Sequence, residues 1–132
     1  MEGLTMYTIG DKELAYIAGF LDGEGCVRVA TQGNYPHMEV TITNTAEEPL
    51  KFIEKIFGGG ICKIDSKCIE HKDIYKWYIY GKHLTTMLEA LLPYLIVKKK
   101  QALLVIEFDL LPSMDDKLRI INTLSVLNKT GK

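Results

Sequence analysis

Residues Leu14 to Gly25 read LAYIAGFLDGEG. They form an apolar segment in which Ala15, Gly19 and Gly23 follow one another four residues apart. In a helix this spacing places all three on one face, where small side chains let another backbone approach closely. The closing glycines permit a sharp turn that presents Glu24. The segment therefore predicts a helix that combines a contact surface with an exposed acid.

Length and composition favour a single domain over residues 1–132. The chain has 132 residues and is 47% hydrophobic, which is enough for one buried core. It contains no run of about 18 apolar residues, and its first residues lack the basic start and apolar centre of a signal peptide. We expect an intracellular protein that makes no membrane contact. Bacterial or phage cytoplasm and an organelle remain open alternatives.

The cysteines and the charges give weaker indications. Cys26, Cys62 and Cys68 are odd in number and lack CxxC spacing, so we expect reduced thiols rather than disulfides or a zinc site. The net charge of -1 does not by itself indicate nucleic-acid binding. Basic residues nevertheless concentrate at 63–82 and at 98–100, either as a binding surface or as ordinary solvated faces.

Hydrophobic periodicity predicts a mixed order of helices and strands. Asp11 is the expected N-cap of the first helix, and Thr45 with Glu48 forms a capping-box pattern for the second. In order, we predict a helix at about 12–22, strands at 26–32 and 37–44, a helix between 45 and 58, strands at 61–66 and 74–80, and helices at 83–92, 97–111 and 114–128.

This order predicts an α+β fold with a four-stranded antiparallel sheet covered by helices on one face. On the strand predicted at 74–80, apolarity favours Trp77 and Ile79 as core residues. The other face carries polar side chains, which can read base edges in a major groove or can simply be hydrated. The candidate DNA-binding residues on this surface are Arg28, Gln32, Tyr35, His37, Glu39, Thr41, Lys63, Lys67 and Lys76.

Two sequence elements resemble those of the LAGLIDADG homing endonucleases. Residues 17–25, IAGFLDGEG, resemble the signature itself, with the family's catalytic acid falling on Glu24. Residues 93–102, PYLIVKKKQA, look like the family's late P-x-L-x-x-K-x-x-Q-A element. The resemblance covers about residues 14–111 and implies an αββαββα core at about 11–111 with a saddle-like sheet. A C-terminal helix at about 114–128 would be added to it.

The signature occurs once, so the chain resembles the single-motif members, which act as homodimers. Two helices crossing at a two-fold axis would bring both Glu24 carboxylates together. The alternative is that the small residues pack on the chain's own core. The expected interface residues are Ala15, Ala18, Gly19, Asp22 and Gly23, with Asp22 also expected to have a structural role.

The resemblance also implies a metal-dependent site. Glu24 and the carbonyl of Gly23 are expected to bind Mg²⁺, although the family more often has aspartate at this position. Lys98 matches the basic residue near the scissile phosphate, and Asn44 approximately matches a polar residue that orders water. A second basic residue that some members carry is not evident, because acids occupy positions 47 and 48.

The function implied by this resemblance is site-specific hydrolysis of double-stranded DNA. A homodimer would cut both strands of a long, roughly palindromic target across the minor groove and leave 3′ overhangs, with Mg²⁺ as cofactor. One alternative is a maturase that binds intron RNA, or a nucleic-acid-binding protein of the same fold without cleavage. Another is a structural dimerisation domain, which would bind no nucleic acid at any salt concentration.

Overall fold

A computed structural model describes residues 10–32, 35–64, 73–111 and 114–129. All of the predicted helices and strands are present, with ends shifted by a few residues. They are α1 (Asp11–Glu24), β1 (Gly25–Gln32), β2 (Tyr35–Asn44), α2 (Glu48–Phe57), β3 (Gly60–Ile64), β4 (Ile74–Tyr80), α3 (Lys82–Leu91), a 3₁₀ turn (Leu92–Tyr94), α4 (Lys99–Leu110) and α5 (Met114–Lys129). Residues 65 and 66, predicted to end β3, lie outside the described residues.

The four strands form one antiparallel sheet in the order β1-β2-β4-β3, which confirms the predicted α+β architecture. Its apolar face carries Val27, Val40 and Ile42, which are fully buried beneath the helices. Trp77 and Ile79 on β4 are also buried, as predicted. The indole of Trp77 donates a hydrogen bond of 2.9 Å to the carbonyl of Gly58, so its polar atom is satisfied inside the core.

Two helix starts differ from their predicted positions. Gly10 precedes α1 and Asp11 is its first residue, while the Gly10 N–H donates to the Glu13 carboxylate at 3.1 Å. The prediction that Thr45 is the N-cap of α2 was wrong, because α2 begins only at Glu48. The cause lies at Asn44, whose side-chain oxygen accepts the Ala46 N–H at 2.8 Å and forms a turn instead of a helix.

A hydrogen bond joins the start of α1 to the 3₁₀ turn. The Tyr94 hydroxyl donates to Asp11 Oδ1 at 2.6 Å. This hydrogen bond, then partial burial and then the charge of Asp11 raise the pKa of the Tyr94 phenol. Because the neutral phenol is the stabilised form, the contribution is complete below the unfolded pKa of about 10 and is lost as pH rises through the folded pKa.

We therefore expect the stability of Tyr94→Phe to fall less than that of wild type as the pH becomes alkaline. Thermal melts of wild type and Tyr94→Phe between about pH 8 and pH 11 would test this. The difference in melting temperature between the two proteins should narrow above the unfolded pKa of about 10. A difference that stays constant over this range would contradict the prediction.

Within the described ranges, no helix combines the length and the apolarity that crossing a bilayer requires.

Candidate active site

The end of α1 passes directly into β1, and this junction exposes two residues. Gly25 has an extended backbone, and its N–H donates to the carbonyl of Leu21. A Cβ atom at Gly25 would collide with the Leu21 side chain and lie 2.9 Å from the Leu21 carbonyl oxygen, so close approach explains the glycine here. The sharp exit leaves Gly23 and Glu24 exposed at the surface.

Asp22, just before this exit, ties α1 to the loop that precedes α4. Its carboxylate accepts the Ile96 N–H at 2.7 Å and the Lys98 N–H at 2.9 Å. In return, Lys98 Nζ donates to the Asp22 carbonyl at 2.8 Å, and both residues are buried. A cation at the C-terminal end of a helix is also favoured by the helix dipole. The expected structural role of Asp22 is therefore confirmed.

Loss of this carboxylate should destabilise the fold. Asp22→Ala leaves two backbone N–H groups without their charged acceptor, and we expect a loss of about 2–4 kcal/mol in the free energy of unfolding. Asp22→Asn keeps one acceptor oxygen and should lose about half as much. Urea unfolding of the two variants would measure both values, and wild-type stability of Asp22→Ala would contradict this account of the loop.

Glu24 borders a hollow of about 200 Å³, called the Glu24 hollow below. The predicted residues Gly23, Glu24 and Lys98 all line it, so the structure brings together two segments that are far apart in sequence. Its remaining lining residues are Gly25, Cys26, Gln101 and Asn128.

The donor atoms around the Glu24 hollow suit a hard cation. A glutamate carboxylate, backbone carbonyls and the amide oxygens of Gln101 and Asn128 are oxygen donors of the kind that Mg²⁺ or Ca²⁺ prefers. Across the described part of the chain, no three or more His, Cys, Asp or Glu side chains gather into a metal-binding group. Because Asp22 is committed to backbone N–H groups, Glu24 is the one free carboxylate that the described residues of one chain offer here. The residues fit a metal whose ligand set is completed from outside this chain.

The predicted interface residues on α1 divide into two groups. Ala15, Gly19 and Gly23 are exposed, and a Cβ atom added at either glycine would meet nothing within 4 Å. The alternative that this stripe packs on the chain's own core was therefore wrong. Ala18 and Asp22, however, are buried inside the chain, which corrects the prediction that they belong to the interface. The helical period explains this, since both lie on the inward side of α1.

The polar face of the sheet carries most of the predicted DNA-binding residues. Arg28 and Glu39 are opposite each other in the register, and Arg28 Nε donates to Glu39 Oε1 at 2.8 Å. Beside them is a groove of about 690 Å³, called the sheet groove below. It is lined by His37, Glu39, Cys62, Lys76, Tyr78, Tyr80 and Gly81. Thr41 is on the same face, opposite Tyr78.

Other predicted residues are placed differently. Lys63 pairs with Tyr75 in the register, on the alternate face from Lys76, and it forms an ion pair of 3.0 Å with Asp73. Gln32 and Tyr35 are paired at the end of the first hairpin. Lys67 lies outside the described residues, and so does Cys68. Cys26 and Cys62 are free thiols, in agreement with the prediction for these two.

The sequence of the chain matches a known protein family over most of its length. Residues 17–106 match the family model described as LAGLIDADG endonuclease. The chain belongs to this family. Its match includes both the signature on α1 and the late element that contains Lys98.

Known LAGLIDADG proteins resemble the chain over most of its length. DNA endonuclease I-CvuI of Chlorella vulgaris is 29% identical over 129 residues, covering 90% of this chain and 78% of that protein. The crystal structure of I-CvuI in complex with its target in the presence of Ca superposes with a TM-score of 0.73 at 26% identity, over 88% of this chain and 82% of that one. The archaeal intron-encoded I-Vdi141I, complexed with DNA, has the same fold, with a TM-score of 0.73 at 21% identity, over 89% and 84%.

In this LAGLIDADG family member, the candidate surfaces differ from the prediction at Asn44, at Tyr78 and Tyr80, and at Asn128. Asn44 is not among the residues that line the Glu24 hollow, and its side-chain oxygen is engaged by Ala46, so a catalytic role for it stays a prediction. Tyr78 and Tyr80, stacked at 6.1 Å between ring centroids, line the sheet groove although they were not predicted as site residues. Because they alternate with Trp77 and Ile79 along β4, the sequence pattern could have indicated that they lie on the polar face. Asn128 had no such local signal, because it reaches the hollow from the last helix.

Proposed function

We propose that the chain is a site-specific homing endonuclease that cuts both strands of a long, roughly palindromic DNA target as a homodimer. The observation that carries the proposal is the position of Glu24. It is an exposed acid at the end of a helix with a free small-residue face, and it shares a hollow with Lys98. I-CvuI, which the chain resembles, is a DNA endonuclease whose structures contain target DNA.

Three features support the dimer. Gly19 and Gly23 offer space for a second helix. Tyr16 on α1 and Ile96, whose N–H bonds to Asp22, are 49% and 85% exposed although both are large and apolar. In a symmetric dimer whose two α1 helices meet at the two-fold axis, the second chain would cover these side chains and the two Glu24 carboxylates would come together. The chain also matches only 43% of the chain of I-AabMI, a LAGLIDADG meganuclease, with a TM-score of 0.63, so its fold corresponds to about half of that protein.

Two such carboxylates facing DNA phosphates would repel the substrate unless cations lie between them. Glu24 and the carbonyl of Gly23 would hold Mg²⁺, which supplies positive charge to the scissile phosphate when it is bound. Lys98 would add a second positive charge, held in place by its bond to the Asp22 carbonyl. The products would be one cut in each strand across the minor groove, with 3′ overhangs.

The polar sheet face would read the DNA sequence. Arg28, held by Glu39, can donate to base edges in the major groove, while His37, Thr41 and Lys76 offer further polar contacts. Gln32 and Tyr35, paired at the end of the first hairpin, belong to the same proposal, and so does Lys67. Lys63 is left out of this surface, because it lies on the alternate face of the sheet and pairs with Asp73.

Measurements of binding and cleavage on the same DNA would test this function. Binding in Ca²⁺ that weakens steeply with salt, followed by double-strand cleavage in Mg²⁺ with 3′ overhangs, is the expected result. Salt-sensitive binding without cleavage of any DNA, together with assisted splicing of an intron RNA, would favour the maturase alternative. Absence of nucleic-acid affinity at every salt concentration would leave only a dimerisation domain.

A further inference from the structure

We propose that Asn128 on α5 is a further catalytic residue of the Glu24 hollow, and that its amide orders the water and the phosphate oxygen held between Glu24 and Lys98. The inference rests on the proposed nuclease function and adds a role for the C-terminal helix. Asn128 is 30 positions after Lys98 in the sequence, yet both line the same hollow as Glu24.

The position of Asn128 is fixed by a bond to β1. Its Nδ2 donates to the Val27 carbonyl at 3.3 Å. Because β1 is at the edge of the sheet, the amide supplies a partner where no neighbouring strand does. The helix that carries it is anchored by Ile120 and Leu124, which are both buried in the core. The amide is therefore held by two independent contacts, one at its tip and one through its helix.

An amide suits the chemistry of this hollow. A carboxamide has two N–H donors and one acceptor oxygen, so the bond to Val27 uses only part of its capacity. The oxygen can accept from a water, and the second N–H can donate to a phosphate oxygen. It does both without adding charge between the acid Glu24 and the cation Lys98. A group of this kind positions reactants in the transition state.

Substitutions of Asn128 separate this role from a purely structural one. In Asn128→Ala we expect the single-turnover cleavage rate in Mg²⁺ to fall about 10–100-fold, while DNA affinity in Ca²⁺ changes less than about threefold. Asn128→Asp loses the donor to Val27 and places a second negative charge beside Glu24, so its rate should depend differently on pH and on Mg²⁺ concentration. The matched control is Asn122→Ala, an exposed asparagine on the same helix, which should cleave like wild type.

If Asn128 only closes the edge of β1, Asn128→Ala will lower the melting temperature and leave the cleavage rate of the folded protein at the wild-type value. That result would overturn the proposal. Nuclear magnetic resonance of the side-chain amide, with Mg²⁺ alone as the probe, gives a second readout that needs no cleavage. The Asn128 amide signals should shift on addition of Mg²⁺ in wild type but not in Glu24→Gln, and those of Asn122 should not move.

The two readouts also distinguish this proposal from the nuclease proposal. Amide signals that shift with Mg²⁺ in a protein that cuts no DNA would support the Asn128 site and refute the nuclease function. Cleavage by wild type and by Asn128→Ala at equal rates would refute the role of Asn128 and leave the nuclease function standing. Amide signals that do not respond to Mg²⁺ would also count against Asn128.

Discussion

Replacement of Glu24 by glutamine should abolish DNA cleavage while the protein still folds and binds DNA. Glutamine preserves the shape of the side chain but removes the free carboxylate that each chain contributes to the hollow. Loss of charge stabilisation at a reacting centre typically costs about 10²–10³-fold in rate, and loss of the metal ligand should add to this. DNA affinity should change little, because the sheet face lies apart from this acid.

Single-turnover cleavage in Mg²⁺ and binding in Ca²⁺ would measure the two effects separately. Glu89→Gln, which changes an exposed glutamate on α3, is the matched control and should remain fully active. Glu24→Asp keeps the carboxylate and shortens the side chain by one methylene, so it should retain part of the activity that Glu24→Gln loses. A fully active Glu24→Gln protein would refute the assignment of this acid.

Gly19→Leu should convert the protein from a dimer to a monomer and remove double-strand cleavage. In the single chain a side chain at Gly19 meets nothing within 4 Å, and replacing glycine in a helix is favourable by up to about 1 kcal/mol. In a symmetric dimer the same side chain would occur twice at the helix crossing. Overpacking costs about 1–3 kcal/mol per site, or about 2–6 kcal/mol for the two symmetric sites, so the dimer Kd should rise at least about 30-fold.

Sedimentation analysis and thermal melts of Gly19→Leu would test this prediction. The expected result is a folded monomer that cuts neither strand efficiently. Asn122→Leu introduces the same side chain at an exposed position on α5 and should leave the dimer unchanged. If Gly19→Leu is still a dimer and is more stable than wild type, the α1 face is not the interface.

Much of the fold could be predicted from the sequence because its signals are local. Alternation along β2 and β4 indicated which side chains are buried, and Trp77 and Ile79 are in the core as expected. The start of α2 could not be predicted in this way. Thr45 and Glu48 satisfy a capping pattern, but the Asn44 side chain competes for the same backbone and delays the helix.

The part of the candidate site that lies in the two sequence motifs could be predicted. Glu24 and Lys98 belong to segments with recognisable spacing, and the Asp22 carboxylate holds those segments together. Asn128 reaches the hollow because the last helix packs on an edge strand. This contact joins distant parts of the sequence, so the local hydrophobic pattern does not predict it. The burial of Ala18 likewise follows from which side of α1 meets the core, which the small-residue spacing alone did not decide.

Selection of cleaved sites from a randomised DNA library in the presence of Mg²⁺ would test whether the chain is a site-specific nuclease. It measures activity, symmetry and specificity in one experiment. We predict enrichment of long, roughly palindromic sequences cut in both strands with 3′ overhangs, and no enrichment with Glu24→Gln. Recovery of bound but uncut DNA from the wild-type protein, or of cuts without sequence preference, would contradict the account.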